Sequence, residues 1–279
     1  MSSRGSNVNK EHGATRAAIA ETQKMVRELV SKPDKQITAY ACKIDDASAP
    51  ILDSKHVNFP GLKTVVEVVE GDTFDEAIKL SRLPPSTNQK PVCVLNFANA
   101  TTAGGGWLQG RRAQEEQLFY RSTLSASLVQ KRMRLYPMGT LEGIYSPKVY
   151  IFRENVESNY QFMEQHALVS VISMAAEENP PLSNDGSKYA SSATGDTMRM
   201  KMRLILRAAG QMNHRRLALG AIGCGAFRHP PQEVANCWKT VLQESEFKGW
   251  FERIWFIIKD HQEPPNTPVF KVILHNLAM

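Results

Sequence analysis

The sequence has only four cysteines in 279 residues, at positions 42, 93, 224 and 237, and no two of them form a C-x-x-C pair. That scatter argues against a disulfide framework and against a zinc site, and leaves free thiols buried as small apolar side chains. No stretch approaches the roughly 18 apolar residues of a membrane span, and the opening MSSRGSNVNKEH lacks the apolar centre of a secretory signal. An intracellular protein, nuclear or cytoplasmic, with no membrane partner is expected. Long basic runs, internal repeats and a linker dividing two cores are also missing. The net charge of +6 tilts the chain towards an anionic partner. Its basic residues gather only in short groups, at Arg111-Arg112, at Lys131, Arg132 and Arg134, and at His214-Arg215-Arg216. None is interleaved with the aromatics of a single-strand nucleic-acid groove. All three groups are expected on solvated surface, and no specific nucleic-acid binding is expected.

What is present is a hydrophobic content of 42%, enough for a sizeable core. Residues 1–13 read as a disordered polar tip, and residues 14–279 as a single domain. Apolar positions at helical spacing predict a helix over 14–31, and β-branched segments predict strands at 36–44 and 63–71. A short helix follows over 74–83. The run PVCVLNFANA, 91–100, is almost wholly apolar, as in a strand covered on both faces. Further on the pattern predicts a helix over 114–130, strands at 148–154 and 167–176, and a helix at 197–212. The last third gives a strand at 216–223, a helix at 231–244, a strand at 253–260 and a terminal segment at 268–277. Between them 179–196 is rich in turn formers and reads as a long surface loop. Strands alternating with helices predict a three-layer α/β/α fold.

In such folds ligands bind beyond the carboxyl ends of the strands. Two loops stand there. NFANATTAGGGWLQGRRAQEE, 96–116, follows the 91–95 segment, and GAIGCGAFRHPP, 220–231, follows 216–219. The second carries Gly220, Gly223 and Gly225 ahead of a helix beginning with prolines. Glycine backbone amides and a helix N-terminus together suit a diphosphate, although a plain tight turn explains the glycines equally well. The spacing fits neither the Rossmann nor the Walker pattern. In the first loop, Gly104-Gly105-Gly106 leaves bare backbone shortly before Gln114-Glu115-Glu116. Consecutive helical residues point about 100° apart, so the two carboxylates cannot share one role. Taken alone they also suit the positive end of a helix.

The GGG, seven-residue spacer and QEE in the context VLNFANATTAGGG resemble the microbial-type poly(ADP-ribose) glycohydrolases of the macrodomain superfamily. GAIGCGAFRHPP is similar to the diphosphate loop of that family, and the RAAIAET segment and the FRENV stretch near 150 are similar to its flanking features. The resemblance spans about residue 14 to the end. It implies a central mixed sheet between helices with ADP-ribose in a cleft at the strand ends. It also implies that Asn99 binds the distal ribose, with Gly104, Gly105 and Gly106 against the same sugar and its phosphate, and places Gln114 among the substrate-binding residues. Gly223, Cys224, Gly225 and Ala226 would offer amides to the diphosphate, and Phe227 would pack on the distal ribose. Glu116 would be the catalytic carboxylate, with Glu115 holding a ribose hydroxyl of the adjoining unit. Glu70 and Asp72 are candidates for adenine by position only. Two departures stand out. Ile222 replaces a usual aromatic residue, and Arg228-His229 replace a usual Gly-Asn pair, with both side chains expected to face solvent.

The implied activity is hydrolysis of ribose–ribose O-glycosidic bonds, mainly from the chain terminus, releasing ADP-ribose. The bond breaks through an oxocarbenium-like state, and the leaving oxygen needs a proton. Adjacent helical glutamates do not span a bond as paired glycosidase carboxylates do, so Glu116 is expected to act alone, first as acid and then as base. Neither cofactor nor metal is implied. The expected partners are poly(ADP-ribose) and ADP-ribosylated proteins, with the chain itself a monomer. Removal of single ADP-ribose units from proteins, or binding without turnover, are the alternatives, and the presence of both glutamates argues against the last.

Overall fold

The computed structural model describes residues 2–31, 39–87, 90–260 and 263–279. In chain order the main elements are α1 (Ser2–Val30), β1 (Cys42–Ile44), β2 (Val65–Glu70), α2 (Thr73–Arg82), β3 (Cys93–Phe97), α3 (Gln114–Arg121) and α4 (Leu124–Leu128). Then come β4 (Gly143–Arg153), β5 (Phe162–Met174), α5 (Ser192–Gln211), β6 (Arg216–Leu219), α6 (Pro231–Leu242), β7 (Arg253–Ile258) and α7 (Thr267–Leu274). The seven strands form one sheet in the order β1-β4-β5-β3-β6-β7-β2. From β5 to β2 neighbouring strands run parallel, while β4 is antiparallel to both β1 and β5. The sheet is therefore mixed, as expected.

Alternation along the strands divides the core into two. Cys93 and Leu95 of β3, with Leu217 and Leu219 of β6, face a cluster built with Met202, Trp238 and Phe270 from α5, α6 and α7. Val94 and Ala218 face the other side, against Phe74, Phe119 and Leu124 from α2, α3 and α4. This is the three-layer arrangement that the strand and helix alternation predicts. Among the described residues no helix is long and apolar enough to cross a membrane.

Several boundaries moved for identifiable reasons. α1 reaches back through residues 2–13, set aside above as a tip. Of the strand predicted at 36–44, residues 36–38 lie outside the described residues and only Cys42–Ile44 pairs. The helix predicted over 114–130 breaks at Ser122 and Thr123. There the chain pairs with β4, through a Ser122–Ile151 bridge and a Thr123 N–H to the Tyr150 carbonyl at 2.9 Å. β4 starts five residues earlier than predicted because a bulge between Ser146 and Val149 absorbs Pro147 and Lys148 without ending the strand. β6 stops at Leu219, since a Cβ on Gly220 would lie 2.6 Å from the Ile257 carbonyl and the chain turns there. The terminal segment is helical.

The group His214-Arg215-Arg216 is not on the surface; all three residues are buried. Arg216 donates to Glu252 at 2.8 Å and to the Leu83 carbonyl at 2.6 Å. Arg215 donates to the carbonyls of Gly210 and Asn58 and lies over the Trp250 ring. His214 bonds the Pro91 carbonyl and the Tyr145 hydroxyl, and burial lowers it to about 4. These side chains are internal clamps, whereas Arg111, Arg132 and Arg134 are exposed. Cys93, Cys224 and Cys237 are buried free thiols and Cys42 is half-buried.

A second clamp positions α3. Arg121, wholly buried, pairs with Asp72 and with Asp75 at 2.5 Å, and its Nε donates to the Arg153 carbonyl at 3.1 Å. Asp72 also caps α2 by accepting from the Phe74 and Asp75 amides. Arg153 in turn donates to Glu21 of α1 at 2.8 Å, so the RAAIAET and FRENV segments meet in space. Removing one partner of a buried pair strands the others. Arg121→Met should cost about 3–5 kcal/mol in a urea unfolding experiment; a loss under about 1 kcal/mol would show that the pair does not hold α3.

Candidate active site

The cleft lies where β3 and β6 part. The chain leaves β3 towards α3 and β4 and leaves β6 towards α6 and β7, so these neighbours diverge at their carboxyl ends, the usual place for a ligand in an open parallel sheet. β3 pairs with β6 only at Cys93–Leu217 and Val94–Ala218, which leaves the Leu95 carbonyl and the Phe97 amide without a strand partner on that side. The side-chain amide of Gln114 fills the gap. Its Oε1 accepts from Phe97 N–H at 2.9 Å and its Nε2 donates to the Leu95 carbonyl at 2.8 Å. Gln114, grouped above with the substrate-binding residues, therefore anchors the first turn of α3 to the sheet.

The next two residues are both buried, and their carboxylates bond different backbone amides. Glu115 Oε2 accepts from Asn99 N–H at 2.8 Å, and its Oε1 accepts from Gly104 N–H at 3.1 Å and from Asn96 Nδ2 at 3.4 Å. Glu116 Oε1 accepts from Gly106 N–H at 2.8 Å. Its Oε2 is buried and has no hydrogen-bond partner among the described residues. The glycine turn wraps the glutamates, and its amides hold them. Gly104 and Gly105 adopt φ of +77° and +52°. A Cβ on Gly105 would lie 2.7 Å from Glu116 Oε1 and 3.1 Å from Glu115 Oε2, and one on Gly104 would lie 2.4 Å from the Phe119 ring. The Tyr120 hydroxyl, 2.7 Å from the carbonyls of both Trp107 and Arg111, ties down the far side of the turn.

Burial raises Glu115 to about 7, with the Glu116 charge adding to the effect and the Asn99, Asn96 and Gly104 donors opposing it. Burial also pushes the Cys93, Cys224 and Cys237 thiols up, away from the thiolate a nucleophile requires. Among the described residues no three His, Cys, Asp or Glu side chains are grouped to hold a metal.

Asn99 directs its Oδ1 inward to the Thr101 and Thr102 amides, each at 2.9 Å, and so folds the loop; its NH2 group takes part in none of these bonds. In the second loop Cys224 N–H is committed to the Ala221 carbonyl at 3.1 Å, which removes it from the four expected diphosphate donors. The amides of Gly223, Gly225, Ala226 and Phe227 have no partner among the described residues. Gly225 and Ala226 are exposed and Phe227 is half-buried.

Ile222 is buried, and Arg228 is exposed as expected. His229 is not. It is buried behind the loop, where a Cβ on Gly223 would lie 2.6 Å from its ring. Its Nε2 donates to the Glu177 carbonyl at 2.8 Å, which makes Nδ1 the acceptor for the Tyr189 hydroxyl, also at 2.8 Å, and burial favours this neutral ring. Asp72, considered above for adenine, is occupied by its cap and by Arg121, while Glu70 is exposed at the end of β2. Sequence reasoning overlooked Asn96, Ser173, whose hydroxyl accepts from Asn96 Nδ2 at 3.0 Å, Tyr189 and Tyr136. Only the position of Asn96 inside an otherwise apolar strand could have flagged one of them.

The fold is a three-layer α/β/α sandwich of macrodomain-like architecture with two buried carboxylates beside the carboxyl end of β3. A family model for the microbial-type PARG catalytic domain matches residues 11–154. Poly(ADP-ribose) glycohydrolase from Thermomonospora curvata superposes with a TM-score of 0.75 at 28% identity, covering 93% of this chain and 99% of that one. The same enzyme bound to the inhibitor ADP-HPD gives 0.72, again at 28% identity with 93% and 99% covered. The enzyme from Deinococcus radiodurans in complex with ADP-ribose gives 0.67 at 26% identity, covering 83% of this chain and 92% of that one. No curated protein matches the sequence. The chain belongs to the microbial-type poly(ADP-ribose) glycohydrolase family, whose members are glycosidases acting on the glycosidic bonds of poly(ADP-ribose).

Two measurements probe this geometry. Gly105→Ala should leave the chain folded by circular dichroism and lower kcat by at least about tenfold, because the added Cβ displaces the carboxylates. The raised Glu115 value means that the folded chain binds more protons than the unfolded one between pH 4.5 and about 7. Stability should therefore fall as pH rises through that window, by roughly 3 kcal/mol at most. Urea midpoints of wild type and Glu115→Gln should differ in slope there; parallel curves would contradict the assignment.

Proposed function

We propose that this chain hydrolyses the ribose–ribose bond of poly(ADP-ribose) from the chain terminus, with Glu116 as the acid and base. The observation that carries this reading is the buried, unpartnered Oε2 of Glu116, on a carboxyl whose other oxygen is fixed by Gly106 N–H. A carboxyl held at one oxygen has its second oxygen aimed and ready for one proton transfer. As the bond to the leaving ribose oxygen breaks, the Glu116 proton passes to that oxygen and the sugar becomes an oxocarbenium-like centre. The resulting carboxylate then takes a proton from water as the water oxygen bonds to the sugar carbon, which restores the acid.

Glu115 works beside it in a different way. An ionised carboxylate has about four acceptor sites, and three are occupied by Asn99, Gly104 and Asn96. One remains for a ribose hydroxyl of the adjoining unit. The amides of Gly223, Gly225 and Ala226 receive the diphosphate, with the N-terminus of α6 behind them adding positive partial charge. Phe227 covers the distal ribose, and Asn99 offers its NH2 group to the hydroxyls of that sugar.

The test is release of ADP-ribose from automodified poly(ADP-ribosyl)ated protein, followed by chromatography for wild type and Glu116→Gln. The variant should retain ADP-ribose binding and lose turnover by about 10²–10⁴-fold. Full activity in the variant would remove Glu116 from the mechanism. Binding without release by wild type would leave a reader, or a hydrolase restricted to single ADP-ribose units.

A further inference from the structure

The loop between α4 and β4 holds a residue that the mechanism above does not use. Because β4 runs antiparallel to β5, its amino end lies on the same edge of the sheet as the carboxyl ends of β3 and β5. The loop entering β4 therefore borders the cleft. It is fastened there by Met138 N–H, which donates to the Ala100 carbonyl at 2.8 Å, one residue beyond Asn99. Two residues earlier stands Tyr136. Its ring is half-buried and packs against the core cluster that includes Trp107 and Phe119, the side chains that brace the glycine turn. Its hydroxyl lies deeper, fully buried and without a hydrogen-bond partner among the described residues. The Glu115 charge acts on this phenol, and burial together with that charge pushes it up.

The same neighbourhood holds two further buried polar atoms without partners, Asn96 Oδ1 and Glu116 Oε2. Asn96 touches Glu115 through its other amide atom, and the Tyr136 phenol is close enough to feel the charge of the same residue. An unpartnered buried hydroxyl is costly, and phenylalanine would fill the same space without that cost. The chemistry of the surroundings says what completes it. Two glutamates line this end of the cleft and repel a phosphate, whereas the donors and acceptors left over match the neutral hydroxyls of a sugar.

We propose that Tyr136 is a substrate-contact residue whose hydroxyl bonds a ribose hydroxyl of the bound ADP-ribose unit on the Glu115 side of the cleft. This rests on the glycohydrolase reading above. The test is Tyr136→Phe in the full chain, which removes one oxygen and keeps the ring, with ADP-ribose binding by calorimetry, polymer hydrolysis and thermal unfolding measured together. Tm should be unchanged or higher. Kd for ADP-ribose and KM for polymer should rise about tenfold, and kcat should stay within about twofold, as for a contact made equally in ground and transition states. A higher Tm with unaltered Kd and KM would overturn the proposal and leave the hydroxyl an isolated core group. Unaltered KM with a lower kcat and a displaced pH profile would also overturn it, since the hydroxyl would then serve Glu115 and not the sugar. If wild type binds ADP-ribose but releases none from polymer, the glycohydrolase reading fails while the Kd comparison still decides the role of Tyr136.

Discussion

The carboxylate of Glu115 is the point from which the site is built. A strand residue, a loop residue and a glycine turn all donate to it, through Asn96, Asn99 and Gly104. Without those bonds the loop that follows β3 has little reason to adopt a compact form, because Gly104 and Gly105 admit many conformations and the polar 101–102 stretch buries little. With them, the glycine turn closes, Gly106 N–H reaches Glu116, and the second oxygen of that residue is left without a partner among the described residues. The carboxylate itself is kept out of water at the expense of a raised proton affinity. A structural anchor and a pH-sensitive group are here the same side chain.

The surrounding shell shows the same economy. Loops after β3 and β6 and the loop entering β4 converge on one edge of the sheet because parallel strands and one antiparallel neighbour expose those ends together. Each loop is backed by buried side chains from outside the cleft. Tyr120 holds the glycine turn, His229 with Tyr189 supports the second loop, and Arg121 with Asp72 and Asp75 fixes the end of α3. The unpartnered amides of the second loop are thus carried on a bed of buried side chains.

The layered architecture was legible because the strands alternate with helices and β3 is almost wholly apolar. The two site loops were legible because glycines cluster after buried strands. Boundaries went astray where tertiary pairing overrode local pattern, as at Ser122 and Thr123, which leave a helix to bond with β4, and at Pro147, which sits in a bulge instead of ending a strand. Burial of His214, Arg215 and Arg216 was hidden because a run of basic residues looks the same on a surface as around internal carbonyls. His229 was misjudged for a related reason, since its partners, Glu177 and Tyr189, are far away in sequence. Tyr136 carried no signal at all, because nothing local marks a tyrosine whose hydroxyl is held at the edge of a distant loop.

The bond of Gln114 to β3 has a wider meaning. By presenting a primary amide to Leu95 and Phe97, this side chain imitates one residue of a neighbouring strand. The sheet can therefore open into a cleft without fraying. The glutamates that follow take their backbone position from the regularity of the β-lattice, one covalent step away, while the Gly104 and Gly106 amides fix their carboxylates. The distance from the sheet to these two carboxyl-bearing residues is thus set at Gln114, so the exposed residues of the loop, Leu108 and Gln109, can vary while that distance stays fixed.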